Sequence, residues 1–63
     1  MVNINKATQT ELEELPGIGP SLATRIIEYR EQNRGFKNIE DIKNVSGIGE
    51  NKYANIKDFI TCK

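Results

Sequence analysis

The sequence predicts a small all-α domain of four to five short helices arranged as two similar halves. A Gly-Ile-Gly tripeptide at residues 17–19 returns at residues 47–49, thirty positions later, and helix-like segments flank both copies. Apolar residues elsewhere recur at helical spacing, and no segment alternates between apolar and polar residues as a half-buried strand does. The 63 residues therefore form one domain, close to the lower size limit for a core without metal or disulfide.

The first helix is predicted to begin after Thr8. Thr8 and Glu11 have the spacing of a capping box, in which each side chain accepts a hydrogen bond from the other residue's amide. Leu12 and Leu15 follow at helical spacing, and a Pro-Gly pair ends the helix. The polar segment before it, residues 1–6, is too short for a helix, although its two apolar residues can attach it to a core.

The second helix is predicted to run from Pro20 to about Asn33. Proline suits the first helical position because its missing amide has no partner there. Apolar side chains at positions 22, 26 and 29 form a wide buried stripe. Gly35 ends the helix, and Phe36 is expected to be buried in the connection.

A brief third helix is predicted from about Asn38, with Ile39 and Ile42 facing inward. The last helix is predicted from about Glu50 to Ile60. Its expected buried residues are Tyr53, Ile56, Phe59 and Ile60.

The two halves match when residue n is aligned with residue n+30. The aligned apolar pairs are Leu12 and Ile42, Leu15 and Val45, Ile26 and Ile56, and Tyr29 and Phe59. Such a pattern indicates two helix–turn–helix units, neither of which can bury its own apolar face alone. We expect a first unit at about 8–33, a connector at about 34–38 and a second unit at about 39–60, related by a pseudo-twofold axis within the single domain 1–63.

The composition limits the possible functions. Nine basic and nine acidic residues cancel, which excludes a polycation that binds nucleic acid through its bulk field. The single cysteine, Cys62, excludes an internal disulfide and is interpreted as an incidental free thiol. No stretch approaches the ~18 apolar residues of a membrane span, and no leader precedes the first helix signal, so the chain is expected to be soluble and without a targeting signal.

The two Gly-Ile-Gly bends are the candidate functional sites; we call residues 17–19 the first bend and residues 47–49 the second bend. The first amides of a helix lack internal partners and lie at the positive end of its dipole, and glycine lets a phosphate approach closely. The predicted phosphate-binding residues, through their amides, are Gly17, Gly19, Ser21, Leu22, Gly47, Gly49, Asn51 and Lys52.

Side chains next to the bends differ in what they contribute. Ser21 and Asn51 can donate hydrogen bonds to phosphate oxygens, and Lys52 supplies the only full positive charge in the first turn after either bend. The negative charge of Glu50 is stabilised by the helix dipole but repels a phosphate. Ile18 and Ile48 are expected to point into the core.

Other features favour structural roles. The basic residues Arg25, Arg30, Arg34, Lys37 and Lys57 have acidic neighbours and are expected to form solvated ion pairs. The four aromatic residues fall on predicted buried faces. No nucleophile has a partner base, and no metal-ligand cluster or carboxylate pair is evident, so neither catalysis nor a cofactor is expected.

The segment Leu15-Pro16-Gly17-Ile18-Gly19-Pro20 strongly resembles the first motif of the tandem helix-hairpin-helix, or (HhH)2, domain family. The resemblance continues through Leu22, Ala23, Arg25, Ile26, Ile27, Tyr29, Arg30 and Glu31. Residues 2–7 and the connector with residues 39–42 are similar to the competence DNA receptor ComEA and its relatives. Essentially the whole chain is covered, although tandem hairpins also occur inside nucleases, glycosylases, polymerases and ligases.

The resemblance implies sequence-independent binding of double-stranded DNA, with the two hairpins holding phosphates on both strands across the minor groove. In ComEA-like proteins this domain is the external, DNA-capturing end of a membrane-tethered or periplasmic receptor used in natural transformation. The isolated domain is then expected to be a monomer without a small-molecule substrate, attached to a membrane only through a region absent from this chain. Two alternatives remain: a protein-interaction or dimerisation module, which neutrality and Glu50 favour, and the DNA-positioning part of a larger repair enzyme.

Overall fold

The computed structural model describes every residue from Met1 to Lys63. In chain order its elements are β1 (Val2–Asn3), α1 (Gln9–Glu13), α2 (Pro20–Gln32), the 3-10 helix η1 (Ile39–Asn44), α3 (Glu50–Ile56), the 3-10 turn η2 (Lys57–Phe59) and β2 (Ile60–Thr61). The helical fold class is confirmed, with one addition. The two-residue strands β1 and β2 pair in parallel and tie the ends of the chain together. None of the helices has both the length and the apolar character needed to cross a membrane.

Both helical halves begin with a side-chain cap. Thr8 Oγ1 accepts a hydrogen bond from the Glu11 amide at 3.2 Å, and Glu11 Oε1 accepts one from the Thr8 amide at 2.9 Å, which is the predicted capping box. At the start of η1, the Asp41 carboxylate accepts from the amides of Lys37 and Asn38 at 3.1 and 3.2 Å. These caps determine where each half starts.

Most of the core consists of equivalent positions from the two halves. All 13 buried residues are apolar, and no polar or charged residue is buried. The buried pairs that are thirty positions apart are Leu12 and Ile42, Leu15 and Val45, Ile18 and Ile48, and Ile26 and Ile56. Each half therefore supplies the apolar surface on which the other packs, as the repeat predicts.

The N-terminal segment is held by Arg30 of α2. Ile4 is fully buried, and Arg30 Nη1 donates to the carbonyls of Ile4 and Ala7 at 3.0 and 2.8 Å. The expectation that Arg30 forms a surface ion pair is therefore wrong. Its guanidinium instead satisfies two carbonyl groups of a segment that lacks regular structure, which its burial requires.

Asn5 joins the N-terminal segment to the connector and to the C-terminus. Its Oδ1 accepts from the Phe36 amide at 2.7 Å, and its Nδ2 donates to the carbonyls of Phe36 and Cys62, both at 2.9 Å. Gly35 has φ +94°, and a Cβ there would lie 3.0 Å from Asn5 Oδ1. Glycine thus permits this close approach, and Phe36 is buried as predicted.

The last helix is shorter than predicted. The apolar spacing predicts a helix to Ile60, whereas α3 ends at Ile56 and Ile60 is extended, with φ −123° and ψ 154°. Ile60 must be extended because it pairs with Val2, so the chain leaves helical geometry before that residue. The side chain of Phe59 is consequently 50% exposed instead of buried, and the predicted match between Phe59 and Tyr29 fails.

Candidate nucleic-acid interface

The two bends have nearly the same conformation. Gly17 and Gly47 are left-handed, with φ +77° and +93°. Gly19 and Gly49 precede their helices in extended conformations, with φ −99° and −106°. In each bend the central isoleucine amide donates to the residue three positions earlier, at 3.1 Å in the first and 3.0 Å in the second. The sequence repeat is therefore also a conformational repeat.

Each bend is anchored by its central isoleucine. The side chains of Ile18 and Ile48 are only 4% and 2% exposed, as the sequence predicts. Because both isoleucines lie in the shared core, the flanking glycines are held at the surface. The backbone of each bend is thus fixed before any ligand arrives.

The amides proposed as phosphate donors make no hydrogen bond within the protein. This holds for all eight, those of Gly17, Gly19, Ser21, Leu22, Gly47, Gly49, Asn51 and Lys52. The first inward bonds of α2 and α3 come one residue later, from Ala23 to the Gly19 carbonyl at 2.9 Å and from Tyr53 to the Gly49 carbonyl at 3.0 Å. Two sets of main-chain donors therefore remain available at the positive ends of α2 and α3.

The bends lie side by side. A Cβ built on Gly17 would be 4.0 Å from the Nζ of Lys52, which belongs to the first turn of α3. A Cβ built on Gly47 would be 2.8 Å from Cδ2 of Leu22, which belongs to the first turn of α2. Leu22 and Lys52 are equivalent positions of the repeat, so each hairpin places the same helical position against the other hairpin's bend.

The negative charge of Glu50 has a local partner. Lys43 Nζ lies 3.2 Å from Glu50 Oε2 and 5.0 Å from the centre of the Tyr53 ring. Lys43 is seven positions from Glu50, and no sequence pattern predicts their pairing. The pair is exposed, so its contribution to stability is small, but it draws the carboxylate towards a cation and reduces its repulsion of a phosphate.

The structure contains a single salt bridge, between Lys43 and Glu50. The ion pairs expected for four other basic residues are therefore absent, those of Arg25, Arg34, Lys37 and Lys57. Arg25 instead donates from Nη1 to the Ser46 carbonyl at 3.3 Å. No pattern in the sequence predicts this contact. Arg25 aligns with Asn55 in the repeat, so no internal match marks it, and only the packing of α2 beside the second bend reveals it.

Alanine at position 47 is expected to destabilise the fold more than alanine at position 17. Both glycines have a left-handed backbone conformation, which costs a residue with a Cβ about 1–2 kcal/mol. Gly47→Ala also places a methyl group 2.8 Å from half-buried Leu22 and 3.0 Å from Arg25 Nη1. Both contacted atoms are the ends of flexible side chains, and displacing them from their preferred rotamers adds about 0.5–1 kcal/mol. Urea denaturation of Gly17→Ala and Gly47→Ala measures the difference.

The matched control is Gly19→Ala. Gly19 has an ordinary φ of −99°, and a Cβ there meets no atom within 4 Å. We expect a loss below about 1 kcal/mol, from the weaker helix cap alone. Equal losses for Gly17→Ala and Gly47→Ala would contradict the close approach of Leu22 to the second bend.

Comparison with known proteins gives matches over essentially the whole chain. A family model described as a helix-hairpin-helix motif matches residues 1–61. ComE operon protein 1 of Bacillus subtilis is 56% identical over 63 residues, which is 100% of this chain and 31% of that protein. These matches confirm the resemblance inferred from the Gly-Ile-Gly segments and the N-terminal residues.

Two further relatives match most of this chain. Endonuclease/exonuclease/phosphatase family domain-containing protein 1 of Homo sapiens is 48% identical over 56 residues, which is 89% of this chain and 10% of that protein. An uncharacterized protein of Haemophilus influenzae is 44% identical over 50 residues, 78% of this chain and 45% of that protein. The chain thus spans less than half the length of each of these relatives.

Proposed function

The chain belongs to the helix-hairpin-helix family, and from that premise we propose that it binds double-stranded DNA without sequence preference. The observation that carries the proposal is the pair of adjacent bends, each with four main-chain amides that have no partner in the protein. Amides of this kind bind phosphate oxygens because they combine directed donors with the positive end of a helix dipole. Two such sets side by side suit a ligand with regularly spaced phosphates.

Binding through these amides is independent of base sequence. Phosphate contacts position a protein on a duplex but carry no information about base edges. We propose that the first bend holds a phosphate of one strand and the second bend a phosphate of the other, across a minor groove about 6 Å wide. Ser21, Asn51 and Lys52 add side-chain donors beside the amides.

In a longer protein, the domain would capture DNA for uptake in natural transformation. Its 56% identity to ComE operon protein 1 over the full chain supports this role. We propose that the domain acts as a monomer, without catalysis, cofactor or small-molecule substrate, and that any membrane attachment comes from another region. Several copies on one surface would raise the weak affinity of a single domain through their effective concentration.

The alternative role is DNA positioning within a larger repair enzyme. It is favoured by the 48% identity to endonuclease/exonuclease/phosphatase family domain-containing protein 1. Both roles require the same DNA contacts, so they differ only in what the domain is joined to. Determining the sequence on either side of these 63 residues in the gene distinguishes them, because a membrane anchor supports uptake and a nuclease region supports repair.

DNA binding is tested by fluorescence anisotropy with a labelled duplex of about twenty base pairs over a series of salt concentrations. If about two to four phosphates are neutralised, the plot of log K against log salt has a slope of roughly −2 to −4. Duplexes of unrelated sequence should give the same affinity. Absence of salt-sensitive binding contradicts the proposal and favours a protein-interaction or dimerisation module.

A further inference from the structure

Arg25 lies against the second bend although it belongs to the helix that follows the first. Its Nη1 donates to the carbonyl of Ser46, the residue before the second bend, at 3.3 Å. The same atom would lie 3.0 Å from a Cβ at Gly47. The guanidinium is therefore next to the backbone that carries the free amides of Gly47 and Gly49.

Most of the hydrogen-bonding capacity of Arg25 is unused. A guanidinium has five N–H donors, and the Ser46 carbonyl is the only acceptor that Arg25 contacts. The single salt bridge of the protein joins Lys43 to Glu50, so no carboxylate neutralises Arg25. An exposed cation with free donors thus stands beside the second bend.

The side chain of Lys52 lies beside the first bend, although Lys52 belongs to the helix that follows the second. Its Nζ lies 4.0 Å from a Cβ at Gly17. It forms neither a hydrogen bond nor a salt bridge within the protein. Each bend therefore has a cationic side chain supplied by the other hairpin.

We propose that Arg25 is a phosphate-binding residue of the second bend and that Lys52 is one of the first bend. Each hairpin thus supplies the positively charged side chain for the bend of the other. This inference rests on the proposed DNA binding and adds to it. Each phosphate site combines main-chain amides from one hairpin with a positive side chain from the other. Neither hairpin alone holds a complete site, which gives the fixed packing of the two halves a direct role in binding.

Arg25 suits this role chemically. The planar fork of a guanidinium can bind two phosphate oxygens while one remaining N–H keeps its bond to a carbonyl. The bond to Ser46 limits the freedom of the side chain, so less conformational entropy is lost on binding.

The test compares Arg25→Gln with the matched control Arg34→Gln in the anisotropy assay. Each variant removes one exposed positive charge, but Arg34 follows the far end of α2, a helix of 13 residues and so about 20 Å long. Arg25→Gln should weaken DNA binding about tenfold and reduce the magnitude of the salt slope by about 0.9. Arg34→Gln should change affinity by less than about twofold.

A second measurement assigns Arg25 to its bend. Gly19→Ala and Gly49→Ala each add a methyl group that meets no protein atom within 4 Å, in the space where a phosphate approaches the bend. Arg25→Gln should still weaken binding about tenfold in the Gly19→Ala background, but less than about threefold in the Gly49→Ala background, because partners in one site are not additive.

Three results would overturn the inference: equal behaviour of Arg25→Gln and Arg34→Gln, a loss of affinity for Arg25→Gln with an unchanged salt slope, or equal losses in both alanine backgrounds. Thermal melts of every variant exclude loss of folding as the cause. If the unaltered domain shows no salt-sensitive DNA binding, the proposed function itself fails. That outcome is distinct from failure of the Arg25 assignment.

Discussion

Replacing both Ser21 and Lys52 by glutamate is expected to weaken DNA binding by at least about 50-fold near 0.1 M salt. The two residues lie in the first turns of α2 and α3, one beside each group of free amides. The double substitution removes the unpaired ammonium near Gly17 and adds two carboxylates close to the free amides that are proposed to bind phosphate. Anisotropy titration with labelled duplex measures the loss.

The variant should remain folded, which makes the binding result informative. Ser21 is exposed and Lys52 half-buried, and neither side chain makes a hydrogen bond within the protein. Glutamate in the first turn of a helix is favoured by the helix dipole. We therefore expect a thermal midpoint within a few degrees of the parent protein, on the order of 1 kcal/mol or less in stability.

The control carries the same change in net charge at a distance from the bends. Thr10→Glu with Arg34→Glu lowers the charge by as much as the double substitution at Ser21 and Lys52. Both control positions are exposed and outside the two bends. The control should lose less than about fivefold in affinity, through long-range repulsion that salt screens. If both double variants lose affinity equally, the bends are not the binding site.

The second large effect is expected at Asn5, where alanine should destabilise the domain by about 2–4 kcal/mol. Three hydrogen bonds are lost, two to Phe36 and one to the Cys62 carbonyl. The Phe36 amide, next to a buried ring, is left without a partner. Since a domain of this size is stabilised by only about 3–9 kcal/mol, the loss is a large fraction of the total.

Circular dichroism melts and urea titrations measure this change. A loss of that size lowers the thermal midpoint by about 10–20 °C. Asn55→Ala is the matched control, because Asn55 is exposed in α3 and its side chain makes no hydrogen bond. Alanine there should be neutral or slightly stabilising, by about 0.5 kcal/mol. A midpoint for Asn5→Ala within about 3 °C of the parent would show that Asn5 does not hold the chain ends together.

Much of the local structure could be predicted from short-range patterns. Thr8 and Glu11 form the predicted capping box, and α2 begins at Pro20. The thirty-residue repeat predicted which isoleucines of the two halves are buried. These features depend on residues close in sequence, or on a periodicity that shows which face of a helix is apolar, so the sequence contains the necessary information.

The failed predictions involve residues whose partners are distant in sequence. Phe59 has helical spacing, but pairing of Ile60 with Val2 removes it from the helix. Arg30 has acidic neighbours, yet it binds the carbonyls of Ile4 and Ala7, more than twenty positions away. Local spacing cannot reveal such contacts, because they form only when distant segments of the chain pack together.

Short-range patterns in the sequence are enough to predict the helical class, the two similar halves and the identity of the two bends. Their glycines and the helix starts that follow them are local properties of the backbone. The folded chain alone reveals that the bends are adjacent, and that Lys52 and Arg25 each lie beside the bend of the other hairpin. This arrangement follows from how the apolar faces of the two halves pack together, and packing is a property of both halves at once.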